Sequence, residues 1–265
     1  RFKNEIGFQA KYLASEDNIR NTSLNSNFSN FTIGAFYKQQ ARYFDWKITL
    51  NSERNQYNWY GLPNLMFTEP TINGINEKQI YNYFDVSGEV KFKDSYIDYG
   101  KLNLSYFTDR YETSEILAKF DAKLDFPLNF LSPTLNDIAI KTSIEYLKGS
   151  FKDGYDNFDA INYGTLTILL NPEYKNSYKS FSYKVGLKFY SSIDSENNSN
   201  NHLFIPELAL ETTVFENYVN IYGGFSGGLH TNTYKNFTEE NPYVSPTLFV
   251  TQTLEKSNFF VGLTG

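Results

Sequence analysis

The chain contains no cysteine and one methionine in 265 residues, which excludes a disulfide framework, a thiolate zinc centre and thiol catalysis. Histidine is almost as scarce. His202 and His230 are the only two, and both fall in expected loops, so imidazole acid–base chemistry has little to work with and no catalytic residue is assigned. G-x-G-x-x-G, Walker A, G-x-S-x-G and H-E-x-x-H signatures are all missing, and no cofactor is expected. The glycines of the Tyr222–Gly228 run alternate along a strand-like stretch instead of opening a helix. No apolar run approaches the roughly 20 residues of a membrane-spanning helix, so any membrane crossing would have to use strands. The net charge of −6 is spread along the chain, which argues against a nucleic-acid partner. Without a Pro, Gly or Ser-rich linker, residues 1–265 read as one domain.

What the chain has in abundance is aromatic residues, at 18%, and strict two-residue alternation. In I-L-A-K-F-D-A-K-L-D-F (Ile116–Phe126), Phe120 and Leu124 belong to an apolar row, while Lys119, Asp121, Lys123 and Asp125 form an ionic row on the opposite face. The pattern recurs in Ile6–Tyr12, Phe31–Tyr37, Phe44–Leu50, Phe84–Phe92, Leu102–Tyr106, Ile138–Tyr146, Leu166–Leu170, Phe181–Phe189, Phe204–Leu210, Val219–Phe225, Leu248–Val250 and Phe259–Leu263. These stretches suit the roughly 9 to 11 residues that a tilted strand needs to cross a bilayer. The expected fold is all-β, an antiparallel transmembrane β-barrel of the bacterial outer membrane. About 13 strands are recognisable, and because such barrels close on an even number, the expectation is about 14 or more.

Connector lengths agree with this reading. Long connectors at Ser15–Asn27, Arg54–Gln79, Lys148–Ala160, Ser191–His202 and His230–Pro246 alternate with short ones at Lys38–Arg42, Lys93–Ser95, Glu216–Asn217 and Glu255–Ser257. Pro127–Asp137 is long for a turn and Thr108–Ser114 short for an outer loop. The chain starts at Arg1 and stops at Gly265 just after a strand, so it is expected to be a mature protein or a fragment of a longer one.

Each row then has an assignment. Phe120, Leu124, Val185 and Leu187 are expected to face lipid. Lys119, Asp121, Lys123, Asp125, Lys184 and Lys188 are expected to face the lumen, with neighbouring opposite charges cancelling any strong ion selectivity. Tyr12, Tyr37, Tyr43, Tyr81, Tyr83, Tyr106, Tyr146, Tyr190 and Tyr218 near strand ends suit an interfacial girdle. Asp153, Asp156 and Asp159 form a weak calcium candidate, since their spacing is not that of an EF-hand.

The segments I-Y-G-G-F-S-G-G-L (Ile221–Leu229), E-N-P-Y-V-S-P-T-L (Glu240–Leu248) and N-F-F-V-G-L-T-G (Asn258–Gly265) resemble the later barrel segments of Bacteroidota outer-membrane proteins of the TonB-dependent-receptor-like kind. The resemblance implies an outer-membrane location and transport; it covers roughly the last fifty residues. The N-terminal plug and the roughly 22 strands of such transporters are not recognisable in the sequence. The expected function is passage or uptake of small solutes through a porin-like or receptor-like barrel. Lipid or lipopolysaccharide and other envelope proteins are the expected partners. A filled barrel serving as an accessory subunit of an envelope complex is the alternative, and a soluble all-β carbohydrate-binding module is a third.

Overall fold

The computed structural model describes all residues except 1–2, 21, 23, 63–66, 129–131, 133–134, 153–159 and 216–217. Twelve antiparallel strands form one sheet in which each strand pairs with its neighbours in sequence. They are β1 (Lys3–Ser15), β2 (Phe28–Gln40), β3 (Phe44–Asn58), β4 (Lys78–Phe92), β5 (Ile97–Asp109) and β6 (Ser114–Phe126), followed by β7 (Ile138–Phe151), β8 (Ile161–Tyr178), β9 (Phe181–Asp194), β10 (Ser199–Phe215), β11 (Val219–Thr231) and β12 (Gln252–Thr264). Two short helices, α1 (Glu69–Asn73) and α2 (Tyr234–Glu240), lie in connectors. No described helix is long and apolar enough to cross a membrane. The sheet is unclosed: β1 pairs only with β2, and β12 only with β11.

Period-two patterning fixes which face each residue takes and rules out one-residue slips, which would exchange the faces of a whole strand. On one face an apolar row runs Phe8–Ala35–Leu50–Val86–Leu104–Ala118–Tyr146–Leu166–Ile193, each residue directly opposite the next. Val185, Leu208, Phe225 and Phe259 form a second row across β9–β12. On the other face, Lys47, Glu89, Lys101 and Asp121 line up across β3–β6 with alternating sign. This face is concave. A flat sheet would hold β8 and β12 about 19 Å apart, yet the Gln252 amide of β12 bonds Thr167 of β8 and accepts from Ser192 of β9, both at 2.6 Å.

Among the described residues twelve strands stand where about 13 segments were recognised and about 14 or more strands were expected, and the one recognised segment that is not a strand lies near the end of the chain. Leu248–Val250 is not a strand, and the expected turn at Glu255–Ser257 lies inside the continuous strand β12. A register shift between Ser226 and Gly228 lets β12 run on past Lys256 and Ser257 without breaking its pairing with β11. The expected long connector Ser191–His202 is also a tight turn between Asp194 and Ser199. Asp194 accepts from the backbone of Glu196 and Asn197 there, both at 3.0 Å, and Asn198 takes a positive φ of 48°. The short connector at Glu216–Asn217 lies outside the described residues.

Candidate functional site

The six charged residues expected on one face all lie on the concave side. Lys119 pairs with Glu145 of β7 at 3.1 Å. Lys123 reaches Asp98 at 2.8 Å and Asp125 at 3.0 Å, while Asp121 sits in register between Lys101 and Ser143. Lys184 and Lys188 both turn to the buried Glu207 of β10, and Lys188 also donates to Ser226 Oγ at 2.8 Å and to the Gly227 carbonyl at 2.7 Å. The neighbouring Lys141 binds Glu173 at 2.7 Å. Charges on this face are therefore largely paired across strands, which leaves a polar surface with a weak long-range field. Phe120, Val185 and Leu187 are exposed on the convex face, whereas Leu124 is half-buried between Ile97 and Ile140. Asp153, Asp156 and Asp159 lie outside the described residues.

The tyrosines divide by parity. Tyr12, Tyr43, Tyr106, Tyr146 and Tyr218 are exposed, and Tyr37 packs against Trp46 with ring centroids 5.1 Å apart. Tyr81 and Tyr190 are buried on the concave side and Tyr83 shares that row, so these three do not belong to an outward girdle. Asp85, two residues from Tyr83, and Lys188, two residues from Tyr190, already mark that face as polar.

The connector between β11 and β12 is the least expected part of the site. It folds into the concavity at the end of the sheet where the longer connectors lie. Asn232 closes its neck by donating to the Thr251 carbonyl at 2.6 Å. Thr233 caps α2 by accepting from the Asn236 amide at 3.1 Å. Tyr234, the first residue of α2, is fully buried and meets the rings of Phe151, Phe107 and Tyr81 edge-on, at centroid distances of 4.9, 5.6 and 6.4 Å. Burial, reinforced by nearby Asp109, pushes its phenol well above the ordinary tyrosine range, so the hydroxyl stays neutral and donates to Asp109 Oδ2 at 3.4 Å.

Glu115, at the start of β6, anchors this connector. Its side chain is 97% hidden from solvent and accepts from Tyr163 Oη at 2.7 Å, from the Tyr234 amide at 2.7 Å and from the Lys235 amide at 3.2 Å. Lys235 places its ammonium 4.4 Å from the Tyr83 ring centroid. Farther along, the hydroxyls of Tyr57 and Tyr81, 2.6 Å apart, both meet the Pro242 carbonyl. Residues 232–251 thus bridge from β11 to β3 across one end of the concavity. Sequence reading missed Glu115, Asp109 and Glu207 as site residues. The parity of Lys119 places Glu115 on the same face, so that signal was present, but nothing local marks Tyr234 as its partner 119 residues away.

Among the described residues no group of three or more His, Asp or Glu is arranged to hold a metal ion. Comparisons with protein-family models, with curated proteins and with solved structures each returned no match.

Proposed function

We propose that this chain forms the wall of a non-enzymatic β-barrel of the bacterial outer membrane, porin-like or receptor-like, that passes small solutes. One observation carries the reading: a nearly unbroken apolar band lies across the convex face of all twelve strands while cross-paired charges fill the concave face. A protein in water gains nothing by exposing such a band, whereas a lipid-facing wall requires it. Paired Lys and Glu on the inner face would wet a lumen without making it strongly selective. The test is extraction and conduction. The folded chain should need detergent, migrate differently on gels before and after heating, and conduct small ions in planar bilayers. A monomer that stays soluble and melts cooperatively without detergent would refute the barrel.

The packed segment 232–251 specifically favours a second reading, a filled barrel that acts as an accessory subunit in an envelope complex. Its α2 and aromatic side chains occupy the end of the concavity that a passing solute would use. Bilayer silence combined with stable co-purification of another envelope protein would select this reading over passage.

A further inference from the structure

We propose that the pocket between the connector-side ends of β1–β3 and the far end of the 232–251 segment binds a neutral saccharide. The cavity holds about 580 Å³, within the range of small-molecule sites. Its walls combine two chemistries. One is aromatic: Tyr243 stands edge-on to Tyr57 and Tyr60, with centroids 5.6 and 6.2 Å away, and stays 49% exposed on the cavity. Its backbone N–H donates to Asn241 Oδ1 at 3.0 Å, and its edge contacts with Tyr57 and Tyr60 set the ring against the cavity as a shelf. A sugar ring offers an apolar face of C–H groups that suits such a shelf.

The other wall is built of amides. Asn30 and Asn55 donate to Glu53 Oε1 at 3.1 and 2.8 Å, and Thr32 donates to Asn30 Oδ1 at 3.2 Å. This network spans β2 and β3 and orients the amide planes, with Gln56 beside them on the cavity wall. An amide presents one acceptor and two donors, as a sugar hydroxyl both donates and accepts, so the two match group for group. Charge narrows the class further. Among the described residues no lysine or arginine lines the cavity, which disfavours an anion. Three carboxylates line the cavity: Glu53 is already occupied by two amide donors and Glu239 by Lys235 at 2.6 Å, while Asp17 is exposed to solvent, so the demand for a cation is weaker than the number of carboxylates suggests.

The site stands whether or not the lumen conducts, because it is formed at the mouth by contacts independent of the inner charge pairs. Calorimetric titration of the purified full chain in detergent with maltotriose, cellotriose, chitotriose and, as the cationic control, spermidine tests it. At least one trisaccharide should bind, and both Tyr243→Ala and Asn55→Leu should weaken that binding by about tenfold or more. Tyr243 is half-exposed, so its truncation leaves the strands intact, and far-UV circular dichroism verifies this for both variants. Absence of sugar binding up to about 10 mM, binding of spermidine alone, or wild-type affinity in Tyr243→Ala would each overturn the proposal.

Discussion

Replacing Glu115 by Gln tests whether the concavity is occupied by a held segment or by a loosely resting one. The wild-type carboxylate accepts three hydrogen bonds, two from backbone amides of α2 and one from Tyr163. A glutamine is the same size but keeps only one acceptor oxygen, and its NH2 group must face a donor. Tyr163 can turn its hydroxyl and accept from that NH2; a backbone N–H cannot. At least one charge-assisted bond is therefore lost, each worth about 1.5 to 3 kcal/mol, and a buried donor is left facing another donor. Local release of the segment should become easier by about 2 kcal/mol, or roughly 30-fold in its opening equilibrium. Hydrogen–deuterium exchange at residues 232–251 reads this directly, with β6–β8 as the internal reference. Glu145→Gln removes a carboxylate from the same face that pairs with Lys119, and it should leave exchange in the segment unchanged. Equal exchange in Glu115→Gln and wild type, with the strands intact, would refute the anchoring role.

Three further outcomes follow from the same geometry. Phe120→Arg should impair membrane insertion by about 2 to 4 kcal/mol because the ring sits exposed on the convex band, while Lys123→Arg, already bound to Asp98 and Asp125, should be mild; equal effects in an insertion assay would mean the faces are reversed. Glu207→Gln should free Lys184 and Lys188 together and shift the reversal potential of any bilayer current toward anions, whereas an unchanged reversal potential would remove Glu207 from the conducting path. Gly149→Ala would set a Cβ 2.1 Å from the Tyr163 ring, so it should displace that ring and loosen its bond to Glu115 at a cost of about 1 to 3 kcal/mol, seen as faster exchange in residues 232–251.

Strand existence and facing were legible because alternation is a local signal, repeated at Ile116–Phe126, Phe181–Phe189 and elsewhere. Errors arose where composition imitated another structure. Leu248–Val250 has strand-like residues but follows the Asn241–Pro246 stretch into the concavity, where Val250 is buried against α2's surroundings. The Ser and Asn content of Ser191–His202 looks like a loop; in the fold these residues pair across β9 and β10, and Ser192 hydrogen-bonds Gln252. The ion partners of Lys119 and Lys123 were partly readable from parity. The convergence of Lys184 and Lys188 on Glu207 depends on the β9–β10 register, which no local pattern specifies.

The two unpaired edges have a kinetic meaning if the sheet resides in lipid. Side chains there have lost a flanking strand, as the 80% exposure of Ile6 on β1 and the 83% exposure of Val261 on β12 record against 45% for Leu104 in mid-sheet. The backbone loss is more serious. Each 13-residue edge strand turns roughly six N–H and six C=O groups outward, and each would cost several kcal/mol bare in hydrocarbon. Their sum far exceeds the roughly 5 to 15 kcal/mol of net stability typical of a folded protein. Neither edge can therefore enter a bilayer alone. Pairing of the seam, whether of β1 with β12 or of each with a strand from elsewhere, must be complete by the time of insertion, and a factor that hastened assembly would have to act at that seam.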